Sequence, residues 1–208
     1  MKKWVVLAFL CISVTAFAVP DIQFSPGGTS PGGWYYDGNS NFSFSQDIDI
    51  DFVLGLQTDT LYNQFVYLPN MTLSSYTPSA IPGVGTGVIQ TGGIVQIKDG
   101  SNNLLLSGTL ASGTFIAAFA TSSFYPEILA DIHVDYVNNS INSDYLNIIS
   151  VGTYFDFNLS LQASTNFGTM IQGNQTGSDG FSGSMTVIPE PMTIALLGLG
   201  GLLLRKKK

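Results

Sequence analysis

The chain has 208 residues, 14 acidic and 7 Lys or Arg side chains, and a net charge of −7. Six of those cations lie at the two ends, so Val19 to Ile188 carries thirteen acids against one lysine, Lys98. A surface near −12 repels phosphate backbones and anionic lipid. That excludes nucleic-acid binding, and it suits an exported, soluble domain that could attract divalent cations.

Lys2-Lys3 is a basic start, Trp4 to Val14 is an apolar run, and Ala16-Phe17-Ala18 is a small-x-small cleavage site. This order predicts a signal peptide over 1–18, cut after Ala18. The single cysteine, Cys11, lies inside the apolar run and leaves with it. The mature chain then has no thiol, hence no disulfide, thiolate metal site or cysteine nucleophile.

Residues 19–33 read as a loop segment, because Pro26-Gly27-Gly28-Thr29-Ser30-Pro31-Gly32-Gly33 has linker composition. Trp34-Tyr35-Tyr36 follows, ahead of an Asp37-Gly38-Asn39 turn. Two readings stand: an exposed aromatic platform for sugar rings, or the core anchor of a first strand.

The rest of the domain, to residue 187, alternates. Phe42, Phe44, Ile48, Ile50 and Phe52 share one parity, and Ser43, Ser45, Asp47, Asp49 and Asp51 the other. That predicts a half-buried strand, broken near Gln46. Asp47, Asp49 and Asp51 are candidate calcium ligands, since calcium takes oxygen donors and alternate strand residues point the same way. The competing reading is a charged face that blocks edge pairing.

Tyr76 to Thr91, with its prolines and glycines, reads as a long loop holding at most one short strand. Ile94–Lys98, an Asp99-Gly100-Ser101-Asn102 turn and Asn103–Leu106 read as a hairpin. Further strands are expected at Thr114–Ala120, Asp131–Val137, Tyr145–Ser150, Tyr154–Leu161 and Phe181–Val187, with a turn or short helix at Phe124–Ile128. Many short strands with Gly/Asn/Asp turns predict an all-β fold: an antiparallel sandwich, jelly-roll-like, over 34–187.

Catalytic signals are sparse. His133 is the single histidine, and on a strand it shares a face with Asp131 and Asp135. A nucleophile triad also needs an activated serine, and zinc normally takes several His or Cys ligands. The domain reads as non-enzymatic, with no cofactor beyond the candidate calcium.

The last stretch, 188–208, is different in kind. Pro189-Glu190-Pro191 precedes an apolar run, Met192–Leu204, and a basic end, Arg205-Lys206-Lys207-Lys208. As a helix the run reaches about 20 Å, short against a hydrocarbon core of about 30 Å. The terminal cations hold that end in the cytoplasm. Together the three parts resemble the PEP-CTERM sorting signal of Gram-negative bacteria. The resemblance covers this end alone. It implies recognition by an exosortase near Pro189, Glu190 and Pro191, a transient inner-membrane anchor, and delivery to the cell surface or extracellular matrix. It also implies an association with exopolysaccharide and biofilm. A matrix protein is therefore the expectation, with a carbohydrate-binding module as the alternative.

Overall fold

A computed structural model describes residues 21–26, 33–53, 59–90, 92–117, 125–162 and 166–188. The expected signal peptide with Ala16 and Ala18, most of the Gly/Pro stretch and the expected sorting signal lie outside these residues. Among the described residues no helix is long and apolar enough to cross a membrane.

Among the described residues the chain is nearly all antiparallel β-sheet, with two short helices. Eight strands close on themselves. They are β1 (Asp21–Ser25), β4 (Ile48–Val53), β5 (Phe65–Tyr67), β8 (Ile94–Lys98), β9 (Leu104–Leu110), β11 (Glu127–Val137), β12 (Tyr154–Leu161) and β14 (Phe181–Val187). In space they run β12-β14-β1-β4-β5-β8-β9-β11, and β11 pairs again with β12. The expected jelly-roll sandwich is therefore replaced by an eight-stranded barrel. Closure removes the open edges that a sandwich must protect.

A second sheet branches from β11. It runs through β10 (Gly113–Ala117), β7 (Gly85–Ile89), β6 (Met71–Pro78), β3 (Asn41–Phe44), β2 (Trp34–Tyr36) and β13 (Gly177–Asp179). One edge of β11 serves both sheets. Thr114 to Ile116 of β10 pair with Leu129 to Glu127, and further along β9 pairs with Ile132 to Val137. The opposite edge of β11 meets β12 from Glu127 to His133.

Period-two alternation explains most of the core. Phe155, Phe157, Leu159 and Leu161 of β12 point into the barrel, while Tyr154 and Asp156 face out. The second sheet is closed over by aromatics. Trp34 lies 4.6 Å from Phe167 between ring centroids, Tyr36 lies 4.9 Å from Phe42, and Phe42 lies 5.6 Å from Phe115. Phe44 meets Phe181 of the barrel edge-on at 5.6 Å, which joins the two cores.

The hairpin expected at 94–106 is present as β8 and β9. Its turn recurs elsewhere. Asp99 accepts from the amides of Ser101 and Asn103 and from Asn103 Nδ2, as Asp37 does from Asn39, Ser40, Asn41 and Asn41 Nδ2. Both loops read Asp-Gly-x-x-Asn. The side chain replaces the missing ladder partners of the turn amides. These donors hold both carboxyls below the usual range, Asn41 contributing most at Asp37 and Asn103 at Asp99.

Several sequence expectations are corrected. Residues 21–25, assigned to the leading loop segment, form β1, which buries Ile22 and Phe24 in the barrel. The supposed long loop from Tyr76 holds the end of β6 and all of β7, paired as a hairpin. Glu127 and Ile128 open β11 rather than a turn or helix. The strand expected at 145–150 is instead a helical turn, Asp144–Asn147, followed by irregular chain.

That helical turn has a local cause. Ser143 caps it, accepting from the Leu146 amide at 3.0 Å. Asp59, 6% exposed, accepts from Ser143 Oγ at 2.8 Å, the Tyr145 amide at 2.7 Å and the Leu61 amide at 2.8 Å. One buried carboxylate thus ties the chain after β4 to the helix between β11 and β12. Asp59→Ala leaves three buried donors without a partner, at about 1–3 kcal/mol each when none relaxes. We expect a loss of at least about 3 kcal/mol in denaturant unfolding. A loss under about 1 kcal/mol would show that the latch is dispensable.

Candidate functional site

Trp34, Tyr35 and Tyr36 occupy β2, between β3 and β13. Strand alternation separates them: Trp34 and Tyr36 are 2% and 1% exposed, and Tyr35 faces solvent. Trp34 Nε1 donates to the Gln162 carbonyl at 2.8 Å. The three-residue sugar platform is therefore not assembled, and Trp34 is a core anchor. Outside β2 lies a shallow depression of about 500 Å³, where Tyr35 meets Ser43, Ser45, Ser178 and Asp179. It offers one exposed aromatic ring.

Asp47, Asp49 and Asp51 sit in three different settings. Asp47 is in the left-handed region at φ 58°, in the break before β4, and accepts a hydrogen bond from the Tyr67 phenol. Asp49 lies in the ladder, opposite Ser25 on one side and Phe65 on the other. Asp51 is the extra residue of a bulge, since Gln23 pairs with Phe52 while Phe24 pairs with Ile50. It accepts from Ser25 Oγ. The bulge also flips the parity beyond it, so Val53 rather than Phe52 is buried. Among the described residues no group of three His, Cys, Asp or Glu side chains is placed to hold a metal. The expected calcium cluster is thus not brought together.

Tyr67 also carries the domain's lone lysine, with Lys98 Nζ 4.5 Å from its ring centroid. The hydrogen bond to Asp47, aided by burial and by the Asp47 charge, pushes the Tyr67 phenol up to about 12.

The densest polar constellation lies on the barrel's outer wall. Register aligns Ile94, Thr109, His133 and Tyr154 in one row across β8, β9, β11 and β12. His133 Nδ1 lies 3.1 Å from Asp135 Oδ1, and Thr109 Oγ1 donates to Asp135 Oδ2 at 2.6 Å. These contacts, Thr109 first, hold the Asp135 carboxyl below its usual range. The His133 ring meets Tyr154 edge-on at 5.0 Å. Asp135 reaches this position as a bulge residue, because Val134 pairs with Gly108 and Tyr136 with Ser107.

The next row places Asp131 directly opposite Asp156, beside Thr186 and Asp21. Asp131 and Asp156 also line a depression of about 500 Å³ with Thr114 and Asn158. Chemically, Asp135 orients an imidazole whose other nitrogen has no hydrogen-bond partner among the described residues. Among the described residues no hydroxyl hydrogen-bonds to that imidazole, so the nucleophile of a triad is not supplied by them.

Comparison with known proteins finds no matching family model, no similar curated protein and no similar solved structure. Assignment of this surface therefore rests on geometry alone.

Sequence reasoning found His133, Asp131 and Asp135 from their spacing but missed Thr109 and Tyr154. Only strand register brings those two alongside. It also missed Asp59, whose one legible sign was the helix cap at Ser143-Asp144.

Two tests follow from these placements. Trp34 is the one tryptophan from Val19 onward, so in a chain starting there its fluorescence reports one buried site. Its emission should be blue-shifted and insensitive to aqueous quenchers, and Trp34→Ala should cost about 3–5 kcal/mol. A red-shifted, quencher-accessible signal would return Trp34 to the surface.

The folded pKa of Tyr67 lies above the usual value near 10. Its stabilising contribution is therefore complete below about pH 10 and is lost as pH rises through about 12. Absorbance titration should show one phenol moving to lower pH in Asp47→Asn. Superimposable curves would contradict the Asp47–Tyr67 bond.

Proposed function

We propose that the chain is an exported structural protein of the cell surface or extracellular matrix. Its precursor is held in the inner membrane through residues 192–204. An exosortase recognises Pro189-Glu190-Pro191 and releases the domain into an exopolysaccharide-containing surface layer. The observation that carries this reading is the order of the terminal parts: Pro-Glu-Pro, a charge-free apolar run and four consecutive cations.

Three further features support it. The mature sequence has no cysteine, so folding outside the cell needs no oxidative pairing. Barrel closure leaves few unpaired strand edges, which limits uncontrolled edge-to-edge association at high local concentration. The excess of acids keeps copies apart in solution while tolerating neutral or cationic polymers.

Expressed in a host lacking an exosortase, the full chain should fractionate with the inner membrane, its C-terminus in the cytoplasm. Removing 192–208 should release a soluble periplasmic domain. A truncated protein that still sediments with membranes would sink the anchor assignment.

A further inference from the structure

Both termini of the described domain lie at one end of the barrel. β14 ends at Val187, in register with Phe155, and the Ile188 amide donates to the Tyr154 carbonyl at 2.9 Å. β1 begins beside it, with Asp21 opposite Thr186. The Asp144–Asn147 helix and the start of β12 form the same end, because they join the last residues of β11 to Tyr154. The second sheet branches from the opposite end, at Glu127 to Leu129.

The two most exposed large apolar side chains among the described residues are on this terminal end. They are Val151, 64% exposed, and Ile148, 60% exposed, in the short segment between the helix and β12. Tyr154, half exposed, stands at the rim beside them. Neither aliphatic residue serves the core, whereas their neighbours Tyr145, Leu146 and Ile149 are buried. Exposed apolar groups gathered at one place mark an interaction surface more often than scattered ones do.

The chain beyond Ile188 limits what can cover them. Only three residues separate Ile188 from the apolar run at Met192, a reach of roughly 10–15 Å when extended. Val187 is held in the β-ladder and cannot lengthen that run. A helix over 192–204, about 20 Å long, cannot span about 30 Å of hydrocarbon unless its ends are drawn inward or the bilayer thins. If that segment is inserted, the terminal cations hold its far end at the headgroups. The near end then pulls the short connection, and with it this end of the barrel, toward the surface.

We propose that this end of the barrel docks on the lipid interface in the anchored precursor. Ile148 and Val151 enter the headgroup region, Tyr154 lies at its level, and the second sheet points away. Tyrosine suits that depth, having an apolar body and a polar tip. The exposed Asp144 and the partly buried Asp21 share this end, so the fitting surface is zwitterionic rather than anionic. Tethering makes such a small patch sufficient, because docking is intramolecular once 192–204 is inserted. This inference rests on the membrane reading of that segment.

The test uses the absence of cysteine from the mature sequence. Val151→Cys, and as a control Ile81→Cys at the tip of the β6–β7 hairpin, are introduced singly into the chain running from Val19 to Lys208. Each is labelled with a fluorophore and reconstituted into phosphatidylcholine vesicles carrying headgroup-nitroxide lipid. Flotation with the vesicles reports insertion, and quenching reports depth. We expect at least twofold quenching at position 151, little at position 81, and a return of the 151 signal to the control level on adding Ile148→Asp. Replacing half the lipid with phosphatidylglycerol should weaken the quenching at 151. If the protein floats but position 151 is quenched no more than position 81, the docking is wrong and the anchor stands. If the protein does not float, the anchor reading fails and takes the docking with it.

Discussion

The double use of one edge of β11 is the constraint on which the architecture depends. A strand has two edges, and β11 spends one on β12 along its first seven residues. Its other edge is divided between β10 and β9, with a bulge at Asp135 on the β9 side. β9 and β12 bound the barrel, so this strand closes it. β10 starts the second sheet, so the same strand also holds the annex. Bulges increase local twist and bend a strand, which is what one strand needs to follow two diverging surfaces. Ile128, Ile132 and Val134 are fully buried along it and belong to the shared core.

The split edge gives the domain a direction. Where β11 begins, the second sheet and its aromatic core lie to one side. Where it ends, the chain turns into the Asp59-bound helix, and both termini emerge. The two ends therefore differ in kind: one carries sheet, the other carries the connections to everything outside the domain. The buried Asp59 carboxylate sits at the terminal end, where regular strand pairing runs out and loop amides need an acceptor.

Much of this was legible in the sequence, at the level of single strands. β12 and β14 have the bounds that their alternation suggests, and the break near Gln46 separates β3 from β4. The hairpin at β8 and β9 announced itself through Asp99-Gly100. Closure was not legible, because alternation specifies which face of a strand is buried but not which strands pair. The helix at Asp144–Asn147 was hidden by the apolar Tyr145 and Leu146 within it and Ile149 just after it, which fit a short strand equally well. Its cap is decided by Asp59, far away in sequence. The polar face around His133 was half visible: spacing along β11 placed His133 and Asp131, while Thr109 and Tyr154 arrive only through register. For Trp34-Tyr35-Tyr36 the sequence offered both exposure and burial. The outcome followed from alternation once β2 was held between two neighbours.

A domain with thirteen acids and one lysine cannot be held together by ion pairs, and its carboxylates are used differently. Among the described residues no lysine pairs with a carboxylate, and the one His–Asp contact, His133 to Asp135, lies at the surface. Asp37, Asp59 and Asp99 instead accept from backbone amides and neighbouring side chains at loops, where a neutral acceptor would bind more weakly. Asp21 accepts from Thr186 and Gln23, and Asp47 from Tyr67. Each such contact fixes a turn or a strand end without requiring a cation. The surface is thus left with uncompensated negative charge by construction.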